Sequence, residues 1–126
     1  MKLEIISTKN APAAIGPYSQ AVKAGNLLFC SGQIPLDPAT GEIVQGDVIV
    51  QAERVMENIV AMLTASGAEL CNVAKTTIYL TDMGDFAAVN NVYGRYFSNH
   101  EPARSTVAVK GLPRGALLEI EVTAVL

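Results

Sequence analysis

Tryptophan is absent from the 126 residues, histidine occurs once and cysteine twice. With His100 as the sole imidazole and Cys30 and Cys71 as the only thiols, the chain offers no Cys/His set of the kind that holds zinc, and no metal is expected. Cys30 lies inside the apolar run Leu27-Leu28-Phe29-Cys30 and reads as a small buried hydrophobe, while Cys71 follows a helix. No long apolar run is present either. The start of the chain, MKLEIISTKNAPA, has one early lysine and a short, charge-interrupted apolar stretch, which fits neither a signal peptide nor a membrane span. The expected location is the cytosol, where both thiols stay reduced.

Charge is also scarce. Charged residues make up 17% of the chain, below the roughly 25% usual in soluble domains. Nine Lys and Arg against twelve Asp and Glu give a net charge of -3, and the basic residues are scattered. That distribution argues against an electrostatic footprint for nucleic acid. Half of the residues are apolar, so some apolar surface should stay uncovered in a monomer, and a homo-oligomer is expected to cover it.

What is present is one uninterrupted pattern, without repeats, low-complexity segments or a linker, read as a single domain over residues 1–126. Residues 3–7 form a first strand, and Tyr18 to Val22 and Leu27 to Ser31 bracket Ala24-Gly25-Asn26 as a hairpin-like pair. Residues 35–46, with two prolines and two glycines, form a loop. Asp47 caps a helix with Ala52, Val55, Met56, Ile59 and Leu63 on its inner side and Gln51, Glu53, Arg54, Glu57 and Asn58 on its outer side; Ser66-Gly67 ends it. Val73 to Thr81 is a strand. Asp82 and Asp85 start a second helix, whose stripe is Phe86, Val89, Tyr93 and Tyr96 or Phe97, with Gly94 suggesting close packing. The resulting fold class is α+β, a mixed sheet with two helices on one face, whose second face holds few charges.

The most informative stretch is Pro102 to Val125. Arg104 to Val109 and Arg114 to Val125 are two extended runs, and Lys110-Gly111-Leu112-Pro113 between them predicts a β-hairpin. In the register with Arg104 opposite Glu119 and Thr106 opposite Leu117, one face carries Arg104, Thr106, Leu117, Glu119 and Glu121. Leu118, Ile120, Val122 and Ala124 turn to the core with Ser105, Val107 and Val109. Arg104 beside Glu119 has two readings. One is a cross-strand ion pair worth about 0.2–1 kcal/mol. The other is an anion receptor, in which a planar guanidinium binds a carboxylate through two parallel hydrogen bonds and the neighbouring carboxylate handles water.

Pro102-Ala103-Arg104-Ser105 followed by Leu118-Glu119-Ile120-Glu121 resembles the C-terminal signature of the reactive intermediate (imine) deaminase family, RidA. Ala14-Ile15-Gly16-Pro17-Tyr18-Ser19-Gln20 and Ser31-Gly32-Gln33-Ile34-Pro35 are similar to its N-terminal motifs, so the match covers nearly the whole chain. The resemblance implies a chorismate-mutase-like fold and homotrimers whose sheets surround a central barrel, with three clefts between subunits. It implies hydrolysis of 2-iminopropanoate and 2-iminobutanoate to 2-oxo acids and ammonia, without a cofactor. Arg104 matches the carboxylate-binding arginine, Glu119 the carboxylate that positions or activates water, and Tyr18 the active-site tyrosine. Ser31 and Gly32 match the pocket-lining motif, where backbone can approach substrate closely. Phe86 and Asn90 are weaker pocket candidates. Thr106 stands where many relatives have cysteine, which removes thiol chemistry but leaves a hydroxyl able to hydrogen-bond a carboxylate. Two other readings compete: a regulatory module that binds a 2-oxo acid without turnover, and nucleic-acid cleavage, an activity also assigned within the broader family but disfavoured by the acidic balance.

Overall fold

The alternation of apolar and polar residues along six short runs builds one sheet, and the helical periodicity of two longer runs supplies its cover. A computed structural model describes residues 2–126, so Met1 lies outside the described residues. The elements are β1 (Leu3–Ile6), β2 (Ala21–Ala24), β3 (Leu27–Gln33), α1 (Val48–Ala65), β4 (Val73–Leu80), α2 (Phe86–Tyr96), β5 (Ala103–Ala108) and β6 (Leu118–Val125). Their order is the one expected. The strands lie side by side as β1-β2-β3-β6-β4-β5, antiparallel throughout except for the parallel pair β4–β5.

Helix α1 forms where the sequence predicts it. The Asp47 carboxylate accepts the Val50 amide at 3.0 Å, which satisfies one of the orphan donors of the first turn. Gly67, at φ +78°, lets the chain leave the last turn. Ala52, Val55, Met56, Ile59 and Leu63 are all buried, each large side chain contributing roughly 1.5–3 kcal/mol of burial. Gln51 and Asn58, expected on the solvent side, are buried instead. They are connectors: Gln51 Oε1 accepts the Leu117 amide at 2.9 Å, and Asn58 Nδ2 donates to the Leu36 carbonyl at 2.9 Å. Polar type alone misplaced them, because a buried amide is stable once its groups are paired.

Helix α2 follows a 3₁₀ turn, Met83–Asp85, in which the Asp82 carboxylate accepts the Gly84 amide. Its buried residues are Val89, Val92 and Tyr93, with Phe97 just beyond. Phe86 is partly exposed, at 37%, and the Tyr96 hydroxyl reaches out to Glu57. Open space surrounds Gly94 where a side chain would project, so the close packing expected there is not observed.

The expected C-terminal hairpin is not formed. β4 lies between β5 and β6, so the register that set Arg104 opposite Glu119 is replaced by Arg104 opposite Thr76 and Glu119 opposite Tyr79. The reason lies in burial and connectivity. β6 buries Leu118, Ile120, Val122 and Ala124 completely or nearly so and therefore needs neighbours on both edges, whereas β5 has no buried residue and suits an edge. β5 also returns from β4 through α2, the crossover that makes adjacent parallel strands. The segment between β5 and β6 spans the end of β4: the Val109 amide donates to the Leu80 carbonyl and the Thr81 amide to the Leu117 carbonyl. A turn-rich linker between two strands fits this jump as well as it fits a hairpin.

The correction turns β5 over. Arg104 and Thr106 share the helix-covered face with Thr76 and Ile78, while Ser105 and Val107 point to the open face. Glu119 and Glu121 stay on the open face, as expected, beside Tyr79 and Thr77. That face exposes Leu3, Ile5, Leu27, Phe29, Val107 and Val125.

Candidate active site

The residues singled out in the sequence form two groups, one on each side of the sheet. The first gathers around Arg104. Its Nη1 donates to Asn90 Oδ1 at 2.7 Å. Its guanidinium carbon lies 4.9 Å from the Tyr93 ring centre and 5.7 Å from that of Phe86, both within cation–π reach. Phe86, Asn90 and Tyr93 recur at helical spacing along α2 and so present one stripe to the edge strand. Thr106, two residues along β5 on the same face, has a buried Oγ1 without a hydrogen-bond partner among the described residues. A cavity of about 420 Å³ opens beside Arg104, lined also by Asn90, Tyr93, Gly94 and Glu101.

Tyr93 was read as core filling and is more than that. Its hydroxyl is 2.8 Å from Thr76 Oγ1, in a fully buried contact, and its ring packs against Phe97 in a tilted arrangement, 41° between planes with centroids 4.7 Å apart. Burial pushes its phenol up, while the Thr76 bond and the Arg104 charge pull it back. The sequence signal was available: Phe86, Asn90 and Tyr93 keep a helical period, with a polar residue in the middle of an otherwise apolar stripe.

The second group gathers around Glu119. Tyr18, Ser31, Gly32, Gln33, Pro113 and Glu119 line a cavity of about 350 Å³. β3 bulges between Cys30 and Gln33, which brings Gly32 against the Glu119 side chain. A Cβ at Gly32 would fall 2.8 Å from Glu119 Cδ and 3.1 Å from its Cγ. Glycine is therefore needed to leave room for the carboxyl, a more specific reason than close approach of backbone to a ligand. The Ser31 hydroxyl donates to the Ser19 carbonyl at 2.6 Å, tying the bulge to the Tyr18 loop. Tyr18 lies before β2, not within it, in a turn where its amide donates to the Gly16 carbonyl. Gln20 was not anticipated as a structural pin: its buried amide donates to the carbonyls of Thr8 and Pro12 and accepts the Thr8 amide.

Burial, and after it the Glu121 charge, pushes the Glu119 carboxyl above its ordinary value. Glu121 is held by the Tyr79 hydroxyl, which donates to Oε1 at 2.7 Å. The salt bridges among the described residues join Arg95 to Glu53 and Arg114 to Glu42, both at the surface. Arg104 and Glu119 therefore form no ion pair within one chain, and the cross-strand reading is overturned. Among the described residues, no group of three or more His, Cys, Asp or Glu is placed to hold a metal ion, and no helix is long and apolar enough to cross a membrane. Cys30 is buried, its thiol pushed up to about 12 by that burial.

The fold is thus an α+β sandwich with a guanidinium held by an amide between two aromatic rings on one face of its sheet and a half-buried carboxyl against a glycine on the other. The family described as Endoribonuclease L-PSP matches residues 8–126. Protein DfrA of Myxococcus xanthus is 61% identical over 127 residues, covering 99% of this chain and 97% of that protein. The 2-iminobutanoate/2-iminopropanoate deaminase of Mus musculus is 48% identical over 122 residues, covering 97% and 90%. A Yersinia pestis protein of the conserved Rid family, itself of unknown function, superposes with a TM-score of 0.97 at 47% identity, covering 99% and 100%. The chain belongs to this Rid, or L-PSP, family.

Proposed function

We propose that this protein hydrolyses 2-imino acids, among them 2-iminopropanoate and 2-iminobutanoate, to 2-oxo acids and ammonia, in a homotrimer whose sites lie between subunits. The observation that carries the reading is the separation just described. Arg104 is equipped to grip a carboxylate and Glu119 to handle a proton, yet they stand on opposite faces of one sheet. A second copy of the chain, seated on the exposed apolar face, supplies the complementary half and covers surface that is costly to leave in water.

In this reading Arg104, held at Nη1 by Asn90, binds the substrate carboxylate through two parallel hydrogen bonds. Thr106 and Ser31 line the same cleft, and Tyr18 closes over the short alkyl chain. Ionised Glu119 takes a proton from water as its oxygen bonds to the iminium carbon and the C=N electron pair moves to nitrogen. The carboxyl returns that proton to the nitrogen. The C–N bond then breaks, ammonia departs with the bonding pair, and the hydroxyl proton passes through Glu119 to ammonia as the C=O forms. A carboxyl pushed above its usual value suits a group that must both accept and donate.

The family's endoribonuclease description favours a second reading, RNA cleavage. Against it stand the net charge of -3 and the carboxylates Glu101 and Glu119, one in the lining of each cavity, which repel a phosphate backbone. The deciding experiment supplies 2-iminobutanoate from an amino acid oxidase and follows its disappearance, using Arg104→Ala and Glu119→Gln separately and after subunit exchange. Each variant alone should be nearly inactive, and a 1:1 exchanged mixture should recover about one quarter of native activity, because one cleft in four pairs an intact arginine with an intact glutamate. No recovery after verified exchange refutes the intersubunit site. 2-Oxo acid binding without turnover by the native protein would leave a regulatory module.

A further inference from the structure

We propose that Tyr93 is a positioning residue for the carboxylate grip, setting the plane of Arg104 through its ring and fixing its own place through Thr76. The inference rests on the reading of Arg104 given above and deepens it. Arginine carries up to five donors on a long, rotamer-rich side chain, and a bidentate grip forms only when the fork is held in one plane. A single hydrogen bond to Asn90 leaves the guanidinium free to swivel about that contact. The Tyr93 ring, 4.9 Å from the guanidinium carbon, is nearer than the Phe86 ring and supplies a broad surface against which the group can lie.

That surface is itself immobilised from two further directions. The Tyr93 hydroxyl meets Thr76 Oγ1 at 2.8 Å, and Thr76 is fully buried and directly opposite Arg104 in the β4–β5 register. The Phe97 ring packs against it in a tilted arrangement with centroids 4.7 Å apart. A closed set of contacts thus runs from Arg104 to Tyr93, from Tyr93 to Thr76, and across the strand pair back to Arg104. Ordinary core filling needs no such arrangement. A phenylalanine would fill nearly the same volume without the hydrogen bond, and an aliphatic side chain would fill it without the ring.

The test uses 2-oxobutanoate affinity by calorimetry together with steady-state imine hydrolysis. Tyr93→Leu should weaken 2-oxobutanoate binding by about 2- to 30-fold, the affinity equivalent of a cation–π contact. It should raise KM by a similar factor with little change in kcat, since the grip is made in ground and transition states alike. Tyr93→Phe, which keeps the ring but loses the Thr76 bond, should bind with an affinity between those of Tyr93→Leu and the native protein. A folded Tyr93→Leu with native affinity and KM overturns the proposal, whereas retention of 2-oxobutanoate binding by Arg104→Ala overturns the reading beneath it. Should Tyr93→Leu not fold, the native protein still decides: the Arg104 Nε–H resonance, assigned by its loss in Arg104→Lys, should be displaced by the ring current and slow to exchange. A free-arginine shift with fast exchange refutes the placement.

Discussion

Gly32→Ala is the most direct probe of the Glu119 carboxyl, because it alters neither charge nor hydrogen-bonding groups. The added Cβ would lie 2.8 Å from Glu119 Cδ and 3.1 Å from Cγ, where ordinary contact begins at 3.4 Å. The obstruction is the flexible end of a side chain, so the carboxyl is expected to swing aside by on the order of 1 Å while the strands stay in place, a displacement that can cost ~10²-fold in rate. Glycine 32 is not in the left-handed region, so alanine meets no backbone strain. The loss of unfolded-state freedom, about 0.4–1 kcal/mol, offsets a similar cost of an off-rotamer glutamate. Stability measured in urea should change by less than about 1 kcal/mol, while imine hydrolysis falls by about two orders of magnitude and 2-oxobutanoate affinity stays within a few-fold. Native turnover in a well-folded Gly32→Ala would show that the position of this carboxyl does not matter, and the mechanism built on it would fall.

Arg104→Lys should lose most imine hydrolysis while remaining folded, since a point charge cannot reproduce a planar bidentate grip, as steady-state rates beside circular dichroism would establish. Glu119→Gln should keep 2-oxobutanoate binding but hydrolyse imine ~10²–10⁴-fold more slowly. Because the folded state raises the Glu119 value, its contribution favours the fold below the unfolded value near ~4.3 and is lost as pH rises through the folded value. Urea unfolding at fixed protomer concentration should therefore show Glu119→Gln gaining on the native protein as pH climbs from about 4 toward 7. Asn58→Ala removes the donor to the Leu36 carbonyl and should destabilise by about 1–3 kcal/mol in the same assay. With Cys71 exposed and the Cys30 thiol pushed up to about 12, iodoacetamide at pH near 8 should give one adduct by mass spectrometry, at Cys71, and a second only after unfolding.

Much of the fold was legible because local rules and global burial agree. Asp47, the stripe from Ala52 to Leu63 and Gly67 mark one helix from three independent signals, and the structure follows all three. The hairpin failed because strand partners are chosen over the whole sheet. Nothing between Val109 and Leu118 reveals that β4 will occupy the gap, and only the full burial of alternate β6 residues hints at a central position. That single error carried Arg104 to the wrong face. The residues proposed to carry the chemistry were singled out by motif, but the motif says nothing of faces, so the two halves looked like neighbours. Gln51, Asn58 and Gln20 were missed as connectors because an amide side chain looks the same in sequence whether it meets water or a backbone carbonyl. The periodicity of Tyr93 is identical for a core residue and for a wall, and only the polar Asn90 in the same stripe separates the two.

The placement of Arg104 and Glu119 on opposite sides of one sheet also has a genetic meaning. Under the proposed assembly every chain serves two clefts, lending the arginine to one and the glutamate to the other. A copy lacking only one of these groups spoils a single cleft, and its loss is in proportion to its abundance. A copy lacking both, or one folded well enough to assemble but distorted at both places, spoils two. When a fraction f of the chains is native and the rest are doubly defective, the active clefts follow f squared. Beside a native allele, one carrying a single lesion leaves about half of the clefts active, whereas one carrying both leaves about a quarter, the same share as when the two lesions sit on opposite alleles.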